Sequence, residues 1–455
     1  MSIRFKSIQS RGIKMYSYCL TDTIYALSSG AGKGGVAVIR VSGSRVTYLI
    51  QEITHIENPT PRYAYFKPLM DKMGEVIDHA LVLYFKGPNS FTGEDVVEFQ
   101  VHGGPSVIDA VFKRLSEFSE VRPAERGEFS RRAVVYGKMD LTAAEGIMDL
   151  IDAQTEQQRK QALAQTEGQL GSLYERWRKL LVHHMAYLEA FIDFPEEDIP
   201  PEKEAQIEQD IRALQVEILA HLDDNERGQR LREGFQIALI GVPNVGKSSL
   251  MNALTNKDIA IVTPIAGTTR DVVEAHLDVG GFPVILADTA GLRENAEAIE
   301  AEGIKRAVRR AEESDLILYI QDMAHYPQVA PLPPELEAIE HKIIWNKCDA
   351  YPKTVVENGL AISAKTGTGI KNLWEEITTD LKERLAPAES AITRERYRTA
   401  LTACADCLRT ALLAPDIELK AEDLRLAARH LGRITGRIEA DELLDVIFRD
   451  FCIGK

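Results

Sequence analysis

What this 455-residue chain lacks narrows it first. No stretch of about 18 consecutive apolar residues occurs, which excludes a helical membrane span. The opening Met1-Ser-Ile-Arg-Phe-Lys-Ser-Ile-Gln is too polar for a signal peptide. Residues 1–17 carry little structural pattern, so either Met1 or Met15 serves as the start. Cysteine is scarce: 5 residues do not make a disulfide framework, and a reducing, cytoplasmic setting is expected. Positive charge is short as well. A net charge of −15 argues against a general nucleic-acid coat, so any nucleic acid would dock on a local basic patch or through a partner. Internal repeats and low-complexity tracts are missing too. The length leaves room for roughly two to four domains.

What is present centres on Phe235-Gln-Ile-Ala-Leu-Ile-Gly-Val-Pro-Asn-Val-Gly-Lys-Ser-Ser-Leu250. A short apolar run, then Gly241-x-x-x-x-Gly246-Lys247-Ser248, then a helical apolar pattern is a phosphate loop in the context it requires. The glycines let backbone N–H groups turn around phosphate oxygens, and the helix N-terminus adds its dipole. Lys247 supplies a positive charge for the β- and γ-phosphates, and the Ser248 hydroxyl completes a Mg²⁺ shell. Further short apolar runs, at Val284–Ala287, Leu316–Ile320, Ile343–Trp345 and Leu360–Ile362, predict a doubly wound α/β sheet over 233–385.

Each of three such runs ends in a recognisable segment. Asp288-Thr289-Ala290-Gly291 offers a carboxylate that reaches Mg²⁺ through water and a Gly291 N–H for the γ-phosphate. Asn346-Lys347-Cys-Asp349 selects the base, because the Asp349 carboxylate accepts from guanine N1–H and the 2-amino group and would be left unpaired by adenine. Ser363-Ala364-Lys365 offers the Ala364 N–H to guanine O6. With the loop, these predict a GTP-binding domain whose nucleotide region also includes Asn244, Val245 and Ser249. Thr263-Pro264-Ile265-Ala266-Gly267-Thr268-Thr269 is the switch I candidate, with Thr269 as a second Mg²⁺ ligand. Where Ras-like proteins place a water-orienting Gln, this chain has Leu292. Another group must orient the water, with Glu297, Glu300 and Glu302 available nearby. The Asn244 side-chain oxygen is suited to ligate a cation beside the phosphates, a charge able to replace an arginine finger.

Residues 18–137 alternate strands (Val36–Val41, Ala80–Phe85, Val96–Val101) with a helix from about Ser106 to Phe118. The run Gly30-Ala-Gly-Lys-Gly-Gly35 precedes a strand and not a helix, so it predicts a turn and no second phosphate loop. Arg40 and Glu98 fall at strand positions where a solvated face is the default. From Pro123 onward long helices are expected, with Leu173, Trp177, Leu180, Leu181, His184, Leu188 and Phe191 on one face, then Ile207, Ile211, Leu214, Ile218 and Leu222. Arg122, Arg126, Arg131, Arg132 and Lys138 make a local positive cluster, by default solvated and otherwise an anion or RNA contact. Cys404-x-x-Cys407 lies in a helical pattern without a second ligand pair and is read as structural. Helical pattern resumes near Ala386, so the nucleotide domain reads as an insertion in a helical domain.

The chain closes on Phe451-Cys-Ile-Gly-Lys455. Gly454 and Lys455 do not suit a prenylation box. Cys452 reads either as a buried helical cysteine or as a thiol made more acidic by Lys455.

These segments together resemble the tRNA-modification GTPase family MnmE, also called TrmE, over about residues 18–455. The resemblance rests on Gly-Gly-Val-Ala-Val-Ile-Arg-Val-Ser-Gly (34–43), Gly-Pro-Asn-Ser-Phe-Thr-Gly-Glu-Asp (87–95), Val-His-Gly-Gly-Pro (101–105) and Arg-Pro-Ala-Glu-Arg-Gly-Glu-Phe-Ser (122–130). It rests also on Gly-Lys-Met-Asp-Leu (137–141), Ile-Asp-Phe-Pro-Glu-Glu (192–197), the phosphate loop, Ala-Gly-Thr-Thr-Arg-Asp (266–271) and the terminal Phe-Cys-Ile-Gly-Lys. It implies four stretches: a folate-binding, dimer-forming α/β domain (1–137), a first helical part (138–232), a Ras-like G domain (233–385) and a second helical part (386–455). By this resemblance Arg40, Glu98, Lys138 and Lys455 contact 5-formyltetrahydrofolate or a related tetrahydrofolate. Asn244, Thr263, Ile265 and Thr268 hold K⁺, Glu300 orients the water, and Cys452 takes part in the modification chemistry. The implied partners are a second copy, tRNA and the FAD-dependent protein MnmG (GidA), with aminomethyl or carboxymethylaminomethyl addition at C5 of the wobble uridine. The competing expectation is a ribosome-assembly or signalling GTPase without modification chemistry, against which stands the lack of a suitable Gly-x-x-Gly RNA clamp.

Overall fold

In the N-terminal part apolar residues alternate with polar ones, and each such run becomes a strand with one buried face. The computed structural model describes residues 22–30, 32–193, 200–255, 274–288, 308–386, 390–437, 447–448, 451–452 and 454. It divides the chain into Met1–Met139 with Ala440–Lys455, and Asp140–Glu439. The first unit runs β1 (Thr23–Leu27), β2 (Gly34–Ser42), α1 (Val46–Thr54), β3 (Ala64–Met70), β4 (Val76–Phe85), β5 (Val96–Gly103), α2 (Pro105–Ser116), β6 (Val121–Pro123) and α3 (Glu128–Val135). Its described strands lie in the order β3-β4-β5-β2-β1-β6. On one sheet face Ile39, Val41, Val82, Val97 and Phe99 pack against Leu49 and Ile50 of α1 and Val111 and Leu115 of α2. The opposite face leaves Val36, Phe66 and Leu81 exposed.

The last described residues belong to this unit. Gly454 has φ 100°, and a Cβ there would lie 2.1 Å from the Leu27 carbonyl oxygen, so only glycine fits. Its own carbonyl accepts the Ser28 hydroxyl at 2.7 Å. The end of the stretch expected to be helical from 386 to 455 thus packs beside β1.

The expected positive cluster is also different. Arg132 is fully buried and donates to Glu94 and Glu128, and Arg122 pairs with Glu128 and Asp22. Arg131 is buried as well, while Arg126 and Lys138 are exposed. Arg131 and Arg132 are therefore not part of a solvated patch. The guanidinium groups of Arg122 and Arg132 are spent on internal carboxylates, because a charge moved out of water needs a paired, hydrogen-bonded partner.

The second unit begins with α4 (Leu141–Asp152), α5 (Glu156–Thr166), α6 (Gln169–Asp193), α7 (Pro201–Leu222) and α8 (Arg227–Glu233). Then come β7 (Phe235–Ile240), α9 (Lys247–Thr255), β8 (Glu274–Val279), β9 (Phe282–Asp288), β10 (Leu316–Asp322), β11 (His341–Asn346), β12 (Leu360–Ala361), α10 (Ile370–Arg384), α11 (Glu395–Leu413) and α12 (Ile417–Thr435). Trp177, Leu181 and Leu188 of the stripe read from sequence meet Ile207, Ile211, Leu214 and Ile218 in one core, joined by Tyr174, by Tyr397, Leu401 and Leu408 of α11 and by Leu424 and Leu431 of α12. Cys404 lies in that core, where burial pushes its thiol far up, as a structural cysteine requires. The strands between lie in the order β12-β11-β10-β7-β9-β8, all pairs parallel except β8–β9. The chain leaves β7 towards β9 on one side and returns to β10 on the other, so a crevice opens at the C-terminal end of β7.

A pH dependence follows from Glu128. Burial alone would raise its carboxyl, but the hydrogen bonds from Arg122 and the Glu125 N–H, with the Arg132 charge, hold it below the usual glutamate value. A carboxyl depressed on folding contributes stability that is complete above the unfolded value of about 4.3 and lost as pH falls from there through the lower folded value. Hydrogen exchange across β1, β2 and α3 in the full chain should show opening that accelerates below about pH 4.3, and Glu128→Gln should open more readily at neutral pH with a flatter acid dependence.

Candidate functional site

The loop between β7 and α9 sits in this crevice because its backbone takes shapes that most side chains resist. Gly246 has φ 97° and Asn244 has φ 64°, both left-handed. A Cβ on Gly241 would lie 2.4 Å from the Ile320 carbonyl oxygen on β10, and one on Gly246 would lie 2.4 Å from Asn346 Nδ2. Glycine at these two places thus serves both loop curvature and the approach of the neighbouring strands. Val245 is buried, while Asn244, Ser248 and Ser249 are exposed. The Lys247 ammonium donates to the carbonyls of Gly241 at 2.8 Å and Val242 at 3.1 Å. Those bonds hold it over the mouth of the loop, where a phosphate oxygen can take their place.

Asn346 ends β11 with its side chain 2% exposed. Its Nδ2 donates to the Val245 carbonyl at 2.8 Å, and its Oδ1 accepts the Ala364 N–H at 3.0 Å. One amide therefore joins the phosphate loop to both base-reading segments. Lys347, at φ 68°, donates to the Asn244 carbonyl at 2.8 Å and to Asp322 Oδ2 at 2.7 Å. Burial would push the Asp322 carboxyl up, but Lys347 and the Ala324 N–H hold it below the ordinary aspartate value. Ser363 is buried, its hydroxyl accepting the Thr366 N–H at 3.1 Å, while Lys365 and Asp349 are exposed. Asp322 is a contributor that the sequence reading missed; its signal was an acidic residue two positions beyond the apolar run ending at Ile320.

Asp288 ends β9, opposite Leu239 of β7 in register. Thr263 to Thr269, Thr289, Ala290, Gly291, Glu300 and Lys455 lie outside the described residues.

In the first unit Arg40 and Glu98 face each other across β2 and β5. Both Arg40 donors reach the same oxygen, Glu98 Oε1, at 2.9 and 3.0 Å, and each side chain is 17% exposed. The default reading of two solvated charges therefore gives way to an ion pair. The guanidinium lies 5.1 Å from the Phe91 ring centre and 5.8 Å from that of Phe129, two aromatic neighbours without a sequence signal. Exposed Lys138 donates to the Pro88 carbonyl at 2.7 Å, on the loop that carries Phe91. Cys452 is exposed, and its carbonyl accepts the Gly127 N–H at 3.4 Å, two residues before Phe129. The alternative of a buried helical cysteine is thereby set aside. Among the described residues no group of three or more His, Cys, Asp or Glu is placed to hold a metal ion. No helix among them is long and apolar enough to cross a membrane.

A mostly parallel sheet with a phosphate loop after its first strand, and base-reading segments after its fifth and sixth, defines a guanine-nucleotide-binding protein. Family comparison carries the identification further. The family model described as the GTP-binding protein TrmE N-terminus matches residues 23–138, and that of the MnmE helical domain matches 141–452. The tRNA modification GTPase MnmE of Paramagnetospirillum magneticum is 48% identical over 444 residues, covering 96% of this chain and 100% of its own. That of Parvibaculum lavamentivorans is 48% identical over 448 residues, covering 95% and 100%. The human mitochondrial 5-taurinomethyluridine-[tRNA] synthase subunit GTPB3 is 43% identical over 460 residues, covering 95% and 93%. The chain belongs to the tRNA modification GTPase MnmE family.

Asn346→Ala should leave the buried Val245 carbonyl and the half-buried Ala364 N–H without their partner, the first costing about 1–3 kcal/mol. Titration calorimetry should show GDP affinity reduced by at least about tenfold, and the G domain should melt earlier.

Proposed function

We propose that this protein is a K⁺-stimulated GTPase that acts on tRNA with an FAD-dependent partner of the MnmG (GidA) type. The product is an aminomethyl or carboxymethylaminomethyl group at C5 of the wobble uridine, drawn from a tetrahydrofolate one-carbon unit. The Asn346 bridge carries the reading, because it fixes a guanine-reading segment and a phosphate loop in one frame.

The chain's own groups divide the work. Asp349, exposed beyond β11, accepts from guanine N1–H and the 2-amino group, and the Ala364 segment approaches O6. Lys247 exchanges its bonds to Gly241 and Val242 for β- and γ-phosphate oxygens. The exposed Ser248 hydroxyl in the first turn of α9 fits a Mg²⁺ ligand, with Thr269 as its counterpart. Mg²⁺ held by these hydroxyls would neutralise phosphate charge. Asn244 fits a monovalent-cation ligand: its backbone is pinned by Lys347 on its carbonyl and its side chain stays exposed at the loop rim. Thr263, Ile265 and Thr268 complete the K⁺ set in this reading, and K⁺ supplies the positive charge that an arginine finger supplies elsewhere. With Leu292 in the place of the usual glutamine, Glu300 orients the water.

The first unit offers the folate site. Since Arg40 occupies only Oε1 of Glu98, Oε2 can accept from a pterin N–H, with Phe91 and Phe129 at hand for ring contact. Lys138, exposed beside Pro88, and Lys455 suit the carboxylates of the folate tail. The tetrahydrofolate supplies the one-carbon unit, and Cys452 is exposed in the same unit to assist the uridine chemistry. The apolar sheet face with Val36, Phe66 and Leu81 supports dimerisation through this unit. The human relative's name as a synthase subunit supports action within a complex.

Hydrolysis assays in matched chloride salts test the cation. K⁺ should accelerate turnover at least about tenfold over Na⁺, and Asn244→Ala should erase the difference; equal wild-type rates would remove K⁺ from the mechanism. Glu300→Ala should lower turnover by about 10²-fold or more while sparing GTP affinity, and surviving hydrolysis would mean the water is held elsewhere.

A further inference from the structure

The β8–β9 hairpin links the two ends of the second unit's chemistry. Val279 pairs with Phe282 around Gly280 and Gly281, both at positive φ, which is the tight two-residue turn that suits twisted strands. At its open end the chain enters β8 from the switch I candidate, and β9 ends on Asp288, the first residue of Asp-Thr-Ala-Gly. The closed end touches the helical body. The Gly281 carbonyl accepts the Gln157 N–H at 3.0 Å, in the first turn of α5. A hairpin of two paired strands this short is a stiff element about 20 Å long.

The next residue makes a second link. Gln158 closes the α5 capping box with Thr155 and donates its Nε2 to the Arg232 carbonyl at 3.0 Å. Arg232 lies just before β7, the strand that runs into the phosphate loop. Its guanidinium reaches Asp149 Oδ1 of α4 at 3.0 Å, and Arg394, where the chain re-enters the helices, reaches the same oxygen at 2.8 Å. Both chain crossings between the G domain and the helical body therefore converge on one carboxylate. A cavity of about 200 Å³, lined by Asp149, Gln158, Arg232 and Thr393 among others, lies within this joint. Close-packed interiors resist displacement, whereas a polar, roomy joint can shift and exchange bonds with water.

We propose that the first turn of α5, together with Asp149, is the joint through which the β8–β9 hairpin transmits the nucleotide state to the helical body. Asp149 and Gln158 are then positioning residues for the modification reaction and take no part in GTP chemistry. The proposal rests on the GTPase reading.

The test uses the full chain with spectroscopic labels at exposed Lys371 on α10 and exposed Leu413 on α11. Distances are compared between GDP and a non-hydrolysable GTP analogue. Two variants interrupt the joint: Asp149→Asn, and Gln157→Pro, which removes the one N–H that meets Gly281 at a first-turn position where proline is tolerated. Thermal melts and GTP affinity within about threefold of wild type show that both fold and bind; a coupling loss then reads as about tenfold less modified wobble uridine and a lost or broadened distance change, with rescue in Asp149→Glu. Variants that keep the wild-type distance change and modification overturn the joint. So does a wild type that binds GTP with no distance change. A wild type that does not bind GTP sinks both this proposal and the reading beneath it.

Discussion

The second unit depends on a single buried amide. Asn346 has one donor and one acceptor committed to two backbone groups on different segments, and almost no exposure to water. In such surroundings a satisfied amide is strongly directional, and an unsatisfied one is costly. The two bonds therefore fix the separation between the place where phosphates are held and the place where the base is read. A nucleotide spans that separation with a rigid base and sugar, so the frame must exist before the ligand arrives. Lys347 adds a second tie from the same strand end, with Asp322 supplying the counter-charge that keeps the ammonium on the Asn244 carbonyl.

Much of this frame was legible in sequence because the chemistry dictates residue type at short range. Only glycine suits the φ of 97° at position 246, only a carboxylate suits the guanine edge, and both are flanked by apolar runs of strand length. The helical core was legible for a similar reason: the stripe from Trp177 to Leu188 repeats at helical spacing, and those residues are buried together. Local pattern and local consequence lie within one element.

Pairing across elements was not legible. Arg122, Arg131 and Arg132 resemble a basic surface when counted along the chain, yet the partner of Arg132 at Glu94 is 38 residues away and its contact with the Asp22 carbonyl is 110 away. No spacing rule predicts such a network, because the sheet brings those residues together. Arg40 and Glu98 are the same case, 58 residues apart in sequence and opposite in register. The placement of Cys452 depends on a close backbone approach at Gly454, which composition cannot signal.

One constraint runs through both units. An acidic chain of net charge −15 has more carboxylates than cations, and several of its arginines sit where segments distant in sequence meet. Arg132 joins α3 to the loop after β4, Arg40 joins two strands, and Arg232 and Arg394 meet on Asp149. A planar guanidinium with five donors can hold two segments at defined angles while keeping its charge, which an ammonium on a flexible stem does less well. Lysine serves both purposes: Lys347 ties the base-reading segment to the phosphate loop, while Lys247 makes bonds that can be exchanged. Lys247 holds loop carbonyls that a phosphate can displace, and Lys138 holds the Pro88 carbonyl on an exposed loop. At Asp149 two arginines hold a junction in place, whereas the Lys247 ammonium at the phosphate loop holds contacts that a ligand can take over.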